Sequence, residues 1–321
     1  MGDAMSRDKP SWTRRDILTG LAAGTLGLGG CQTGDLDIPL KIGGTEVNVG
    51  RVFSGLGSIF EGLDLGEAEE IEMGQKLYPN LIARSGGAYR SRRAQTAMRA
   101  IFDGRMAPAR ERDLPWEVTV LDDDTVNAWA LPGGKIAVNK GLLRYIDSED
   151  ELAAVIGHEM GHVELSHAIG EMRQEKFSEG FTTLSAEALM SQVDRGGVDG
   201  LLTDQAIEAL AGPMHEMVTS GYSRGAEREA DSHMVKVCLT TNYDPAEGTT
   251  FFRTLLEIIP ADSELTTSLF STHPGTRNRI DAILAEVRSF PTPARRPASP
   301  AFAALKESFP TRRVYKRNVS A

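Results

Sequence analysis

The most constraining feature of the sequence is a strong helix signal that starts at Ser148. Ser148 is a favourable N-cap, and Glu151 three residues later completes the pattern of a capping box. Glu149 and Asp150 add negative charge to the first turn, where the helix dipole stabilises it. We therefore predict a helix from Glu149 to roughly Gln174.

This helix carries the motif His-Glu-Met-Gly-His at residues 158–162. Residues four apart lie on one face of a helix, so the imidazoles of His158 and His162 can both point at one metal ion. Nitrogen ligands in this arrangement suit Zn²⁺, and Glu159 is placed to accept a proton from a water molecule that zinc activates. The motif therefore predicts one zinc ion per chain. The alternative is a core helix whose two histidines are satisfied by hydrogen bonds.

Two further histidines receive structural interpretations. His167 follows His162 by five residues, which places it about 140° away around a continuous helix. We therefore interpret His167 as a packing or supporting residue and not as a ligand. For His215 we favour a structural role over a gating role near the cleft.

A catalytic zinc ion usually takes a third protein ligand, and residues 223–231 offer candidates. Glu227 and Asp231 are four apart and share a helical face. Glu227 is a candidate ligand, and Asp231 is placed to hold a ligand histidine through its second ring nitrogen. A solvated acidic helix face has the same pattern, so the residues alone leave both interpretations open.

Composition excludes several classes of protein. The 321 residues include 35 Lys and Arg against 45 Asp and Glu, a formal charge of −10. This acidic balance argues against a nucleic-acid binder, which needs a cation-rich surface. No uninterrupted apolar run reaches about 18 residues, which argues against a multi-pass membrane protein. Two cysteines do not make a disulfide-stapled scaffold, and we interpret Cys238 as a small buried apolar residue.

The N-terminus has the pattern of an export signal. Arg14 and Arg15 precede a short apolar stretch and resemble a bacterial twin-arginine signal. Leu-Gly-Gly before Cys31 resembles the lipobox of bacterial lipoproteins, in which the cysteine is lipidated. We expect a signal peptide over 1–30, a lipid-anchored tether over 31–64, and a periplasmic protein at the outer membrane of a Gram-negative bacterium. The alternative is an ordinary signal peptide with a chance cysteine.

The remaining pattern predicts an α+β fold that is mainly helical. The tether favours one short hairpin around Gly43-Gly44. Three strands, predicted to form a meander, cover 116–121, 127–131 and 135–138. Further helices are predicted over 66–84, 92–102, 204–219, 223–240, 245–259 and 277–290, with a loop over 191–203. Residues 291–321 are proline-rich and basic, and we expect a solvated tail beyond a domain of residues 65–290.

Four sequence blocks together resemble one family of zinc endopeptidases. They are HEMGH, the downstream EREAD preceded by Tyr-Ser-Arg, the strand unit NAWALPGGKIAVNKGLL, and Ser-Thr-His-Pro followed by Arg-Ile. Over roughly residues 65–290 they resemble metallopeptidase family forty-eight of the gluzincins, which contains the CAAX prenyl endopeptidases and HtpX heat-shock proteases. The resemblance points to the soluble periplasmic lipoprotein branch, with BepA-like and LoiP-like members. It implies a zincin-like metallopeptidase domain with a small β-sheet beside the zinc helix.

The resemblance also implies a role for each residue that matches the family motifs. His158, His162 and Glu227 match the three zinc ligands. Glu159 matches the general base, and Asp231 matches the aspartate that orients a ligand histidine.

Further matches concern the cleft. His273 and Arg279 match a catalytic pair that is implied to stabilise the tetrahedral oxyanion or to gate the cleft; His273 as a mask over the zinc is a further possibility. From the residues alone, a turn histidine and a surface arginine are the alternatives. In the family a strand borders the active cleft, and the residues that match it are Asn127, Ala128, Trp129 and Ala130. An exposed edge there would pair with an extended substrate, although Trp129 and Leu131 also suit a core.

The implied reaction is hydrolysis of internal peptide bonds in misfolded or unassembled cell-envelope proteins, as part of protein quality control. The implied partners are unfolded protein substrates, the membrane through lipid on Cys31, and envelope assembly machinery, with no nucleic acid. One alternative is a zinc-binding periplasmic chaperone or assembly factor with masked or lost proteolysis. Another is a structural lipoprotein with an accidental motif, which would hold no zinc.

Overall fold

The computed structural model describes residues 39–42, 45–48, 65–173, 183–258, 273, 276–294 and 296–310. The strands are β1 (Pro39–Ile42), β2 (Thr45–Asn48), β3 (Glu117–Leu121), β4 (Ala128–Leu131) and β5 (Lys135–Asn139). The helices are α1 (Glu67–Arg84), α2 (Arg92–Ile101), α3 (Lys140–Leu143), α4 (Glu149–Glu164), α5 (His167–Met172), α6 (Thr183–Leu201), α7 (Asp204–Ser220), α8 (Arg224–Thr240), α9 (Pro245–Gly248), α10 (Thr250–Ile258), α11 (Thr276–Val287) and α12 (Pro300–Ser308). A mainly helical chain with a small three-stranded sheet confirms the predicted fold class.

The N-terminal part is described only at one hairpin. β1 and β2 pair antiparallel, with Ile42 opposite Thr45, which confirms the short hairpin predicted in this segment. The expected signal peptide and Cys31 lie outside the described residues. Among the helices that the structure describes, none is long and apolar enough to cross a membrane.

The three-stranded sheet is not the predicted meander. β5 is the central strand, parallel to β3 and antiparallel to β4, so β4 lies at an edge. All five residues of β5 are buried, as expected of a strand with both faces covered. The turn between β4 and β5 requires glycine, because φ is 69° at Gly133 and 83° at Gly134. A Cβ on Gly133 would also lie 2.7 Å from the Ile71 Cα on α1.

Helix α4 begins as predicted. Ser148 Oγ accepts a hydrogen bond from the Glu151 backbone N–H at 3.1 Å, and Glu151 Oε2 accepts from the Ser148 backbone N–H at 3.3 Å. This is the reciprocal capping box that the sequence indicates.

The end of α4 differs from the prediction, because the helix stops at Glu164 and a second short helix, α5, starts at His167. Ser166 between them has φ 50° and ψ 37°, a left-handed conformation that is uncommon without glycine. Arg112 Nη1 donates to the Val163 carbonyl at 3.2 Å and to Ser166 Oγ at 3.0 Å. Ser166 Oγ in turn donates to Glu70 Oε2 at 2.9 Å. Contacts from distant parts of the chain therefore hold the turn.

Helices α4 and α8 pack closely where α4 carries two glycines. Gly157 and Gly161 of α4 face α8, and a Cβ on Gly161 would lie 2.9 Å from the Ala230 Cα. The two backbones therefore approach closely along the same stretch that carries the histidine motif. This approach brings Glu227 of α8 opposite that motif.

Most other predicted helices are present, with two corrections. The loop predicted over 191–203 is helical, since α6 runs to Leu201 with a kink at Gly197 (φ 58°, ψ −129°). Leu189 and Leu201 are fully buried in the same apolar cluster as α7, so tertiary packing overrides the glycine-rich sequence. The helix predicted over 245–259 is divided into α9 and α10.

Residues 291–321 were expected to form a solvated tail, but this segment contains a helix. Helix α12 starts at the N-cap Ser299, whose backbone N–H donates to Glu149 Oε2 at 2.6 Å. Phe302 and Phe309 are 6% and 1% exposed and belong to the main apolar core. Residues 299–309 are therefore part of the folded unit that holds the start of α4.

Replacing Phe309 with Ala should destabilise the full chain by about 3–5 kcal/mol, as expected for a buried aromatic side chain. Phe290→Ala is the matched control, because Phe290 is 44% exposed and its loss should change the free energy of unfolding by less than about 0.5 kcal/mol. Urea titration followed by circular dichroism measures both. Equal stability of the two variants would show that the C-terminal helix does not belong to the core.

Glu151 gives the stability of the fold a defined pH dependence. Burial raises the pKa of Glu151 to about 7, against the opposing hydrogen bonds from the Asp147 and Ser148 backbone. Because its folded pKa lies above the unfolded one, its contribution to the free energy of unfolding is full below pH 4.5 and is lost as pH rises towards 7. Glu151→Gln keeps an acceptor at this position but does not titrate.

The stability of the wild type relative to Glu151→Gln should therefore fall between pH 4.5 and 7, by at most about 3 kcal/mol at 1.36 kcal/mol per pKa unit. Urea titrations of both proteins at several pH values measure this difference, in which the other titrating groups cancel. A difference that stays constant with pH would contradict the argument.

Candidate metal centre

Helices α4 and α8 bring the three predicted ligands together. The Nε2 atoms of His158 and His162 are 3.1 Å apart. Carboxylate oxygens of Glu227 lie 3.6 Å from His158 Nε2 and 3.4 Å from His162 Nε2. All three side chains are buried, to 3% exposure or less. The convergence that the family resemblance implied for these three side chains is thus present, and their role as zinc ligands stays a prediction.

His273 joins this cluster as a fourth donor. Its Nδ1 lies 3.3 Å from His158 Nε2 and 3.2 Å from both carboxylate oxygens of Glu227. Each of the four residues offers one possible ligand atom, and these four atoms lie within 4.8 Å of one another. Imidazole nitrogens with one carboxylate are the donor set that Zn²⁺ prefers, whereas Mg²⁺ and Ca²⁺ prefer oxygen. The residues present thus fit a zinc ion.

The position of His273 bears on the alternatives that the sequence left open. A structural zinc site has four protein ligands, whereas a catalytic site keeps one position open. In this conformation His273 Nδ1 lies among the possible donors. Against the effect of burial, the carboxylate of Glu227 raises the pKa of His273, so this ring must lose a proton before it can coordinate. Its two proposed roles, masking the zinc site and stabilising an oxyanion, both stay predictions.

The protonation states in the cluster suit metal binding. Burial lowers the pKa of His162 well below its ordinary value, so its imidazole is neutral and can coordinate. Burial opposes ionisation of Glu227, but the neighbouring imidazoles of His273 and His162 outweigh it and hold the pKa of Glu227 well below its ordinary value. The result is a carboxylate beside neutral imidazole, as a zinc ligand set requires.

Glu159 is a desolvated carboxyl group next to the ligands. It is 2% exposed, and among the described residues its Oε2 has no hydrogen-bond partner. Burial raises the pKa of Glu159 above its ordinary value, with His273 and His158 acting in the opposite direction. Its Oε1 lies 3.6 Å from His273 Nε2. A free carboxylate oxygen with a raised pKa is suited to accept a proton.

Asp231 lies where the helical spacing predicts it, with Oδ1 3.1 Å from His158 Nδ1. Arg279 binds the same carboxylate with two hydrogen bonds, from Nε at 2.7 Å and from Nη2 at 2.6 Å. Its Nη1 forms an ion pair with Glu227. Because all three guanidinium nitrogens contact carboxylates, the geometry favours a positioning role for Arg279 over the predicted oxyanion contact, which stays a prediction.

Tyr222 is a residue of the centre that sequence reasoning missed. Its ring stacks on His162 with centroids 3.9 Å apart, and its hydroxyl donates to the Ala130 carbonyl of β4 at 3.3 Å. The only signal was its place before Ser-Arg in the α8 motif, which the sequence interpretation used as a family mark. Tyr222 therefore links a metal ligand to the edge strand.

The edge strand is covered, although an exposed edge was expected. Asn127, Ala128, Trp129 and Ala130 are each between 1% and 4% exposed. Trp129 and Leu131 belong to an apolar cluster with α7 and Tyr222, which agrees with the alternative that they are core residues. Whether this strand binds substrate stays a prediction.

Two residues outside the centre agree with their structural interpretations. His215 on α7 contacts Ser85 Oγ at 3.2 Å and lies away from the donor cluster. Cys238 is fully buried, and burial raises the pKa of its thiol.

Comparison with known proteins agrees with this geometry. The model of Peptidase family M48 matches residues 91–287. The beta-barrel assembly-enhancing protease of Escherichia coli (strain K12) is 28% identical over 168 residues, which are 52% of this chain and 33% of that protein. Metalloprotease LoiP of the same organism is 30% identical over 158 residues, which are 49% of this chain and 57% of LoiP. Mitochondrial metalloendopeptidase OMA1 of Arabidopsis thaliana is 30% identical over 167 residues, 52% of this chain and 30% of that protein. The matched part thus spans only about a third of the first relative.

Asp231→Asn should weaken zinc binding by about 10- to 100-fold, because residues that orient a ligand imidazole typically contribute this much to metal affinity. Asp281→Asn on α11 is the matched control, since Asp281 is exposed. Competition with a chromophoric chelator measures the zinc dissociation constant of both variants. Equal affinities would show that Asp231 does not support His158.

Proposed function

Because the chain belongs to peptidase family M48, we propose that it is a zinc endopeptidase that hydrolyses internal peptide bonds of misfolded or unassembled cell-envelope proteins. The observation that carries this proposal is Glu159, a buried carboxyl group with one free oxygen beside a donor set that fits zinc. A structural zinc site has no use for such a group, whereas hydrolysis needs a proton acceptor at this place.

A zinc ion held by His158, His162 and Glu227 would polarise the scissile carbonyl and make water more acidic. Glu159 would take the proton of the attacking water on Oε2 and deliver it to the leaving amine. Asp231 and Arg279 keep His158 and Glu227 in place during this transfer. The burial of the whole cluster excludes other water, which strengthens each of these interactions.

The proposed location and substrates rest on the N-terminal sequence and on the relatives. We propose that the chain is exported and lipid-anchored through Cys31 in the periplasm, at the outer membrane. One relative is named a beta-barrel assembly-enhancing protease, which supports contact with envelope assembly machinery and unassembled substrates. The tether would hold the catalytic unit near such chains at the membrane surface.

A second candidate function is a zinc-binding chaperone or assembly factor with masked proteolysis. Two observations favour it: His273 lies among the possible donors, and the edge strand β4 is covered. A closed site of this kind would hold zinc without cleaving until His273 leaves the cluster.

Glu159→Gln should abolish cleavage of unfolded casein by the full, zinc-loaded chain in detergent while one zinc ion stays bound. The amide cannot accept the proton, and none of the ligands is altered. Glu216→Gln on α7 is the matched control, since Glu216 is exposed and far from the chemistry. Cleavage is followed by gel and zinc content by atomic absorption. Equal cleavage by wild type and Glu159→Gln would contradict the mechanism.

His273→Ala in the same assay separates the two candidate functions. A rise in cleavage is expected if His273 masks the site. No cleavage by the wild type or by His273→Ala, with zinc bound in both, would favour the chaperone.

A further inference from the structure

The turn at Ser166 redirects His167 towards the metal centre. In a continuous helix His167 would point about 140° away from His162. Here α4 ends at Glu164 and α5 begins at His167. The break turns His167 back towards His162, and the centroids of their imidazole rings are 5.0 Å apart. The contacts of Arg112 and Glu70 that hold this turn therefore also place His167.

His167 connects a metal ligand to a carboxylate on α8. Its Nδ1 lies 2.9 Å from His162 Nδ1, and its Nε2 lies 3.1 Å from Glu229 Oε2. The other nitrogen of His162, Nε2, faces Glu227 and His158 in the donor cluster. Three side chains thus form one line of contacts from the metal centre outwards.

Only one arrangement of neutral rings satisfies all of these contacts. His162 Nε2 must be unprotonated to bind a metal, so the ring carries its proton on Nδ1 and donates it to His167 Nδ1. His167 then carries its proton on Nε2 and donates it to Glu229. The tautomers are assigned here from the partners of each nitrogen.

Burial makes this line of contacts costly to break. His162 is 2% and His167 7% exposed, so neither ring can replace a lost partner with water. Glu229 differs, because its side chain is 67% exposed. The two ligand histidines are therefore held in matching ways: His158 faces a carboxylate directly, and His162 reaches one through a second imidazole.

We propose that His167 and Glu229 are positioning residues for the metal ligand His162. Together they fix the tautomer and the orientation of its ring, as carboxylates do for histidine ligands in metal sites. The proposal rests on the zinc site of the proposed function, but it concerns zinc binding and not cleavage. Glu229 acts only through His167.

The test is the zinc dissociation constant of the full chain, measured by competition with a chromophoric chelator. His167→Leu should weaken zinc binding by about 10- to 100-fold, and Glu229→Ala by a smaller factor. His167→Gln should recover part of the affinity, because its amide can accept from His162 and donate to Glu229. Glu216→Ala, an exposed carboxylate on α7, is the matched control and should bind zinc like the wild type.

The double variant decides whether the two residues act in one line. If Glu229 acts through His167, then His167→Leu with Glu229→Ala should bind zinc no more weakly than His167→Leu alone. The visible spectrum of the Co²⁺-loaded protein should change in His167→Leu and Glu229→Ala and not in Glu216→Ala, because it reports ligand geometry.

Two results would overturn the proposal: additive losses in the double variant, or a Glu229→Ala protein with the affinity of Glu216→Ala. Since Glu229 is exposed, its replacement does not threaten folding, and the test stands even if His167→Leu fails to fold. If zinc binding shows these variant effects but neither the wild type nor His273→Ala cleaves casein, the result would contradict the proposed peptidase and still support the positioning role.

Discussion

The close packing of α4 against α8 is the interaction on which the metal centre depends. Three of its four donors come from these two helices, and the close approach of the two backbones brings Glu227 to the two histidines of α4. The glycine in the histidine motif is therefore a packing requirement as well as a spacer, since a Cβ on Gly161 would meet the Ala230 backbone. The motif encodes the ligands and the surface that brings them together.

The charges of the cluster explain why a divalent cation suits it. Glu159, Glu227 and Asp231 are buried carboxyl groups, and Arg279 is the cation that contacts two of them. With the imidazoles of the cluster neutral, as metal binding requires, ionisation of the three carboxyl groups leaves two negative charges uncompensated in a medium that solvates charge poorly. A divalent ion would balance them. Without an ion, the raised pKa values of Glu159 and His273 favour protonation of both groups, which reduces the negative charge.

Sequence reasoning succeeded where local rules determine the outcome. The capping box at Ser148, the start of α8 at Ser223, the shared face of His158 and His162 and the shared face of Glu227 and Asp231 follow from short-range spacing. That Glu227 meets the two histidines followed only from the family resemblance. Sequence reasoning failed where contacts between residues distant in sequence determine the local conformation. The left-handed turn at Ser166 depends on contacts from α1 and from the segment before β3, the helical path of α6 on packing against α7, and the docking of α12 on the main core. The sheet order likewise depends on a parallel pairing that no local pattern reveals.

Tyr222 contacts both the edge strand β4 and the predicted metal ligand His162. Tyr222 occupies the outward carbonyl of Ala130 and stacks on His162, so a strand that pairs with β4 must displace a residue that also supports a metal ligand. If substrate pairs with β4, as the family resemblance implies, its entry and the orientation of His162 are coupled through Tyr222. In such a pairing, an extended segment would form backbone hydrogen bonds along β4 that offset the cost of moving Tyr222. A folded surface has no free row of backbone groups to form them. Such pairing would select extended chains over folded proteins before any side chain of the substrate is recognised.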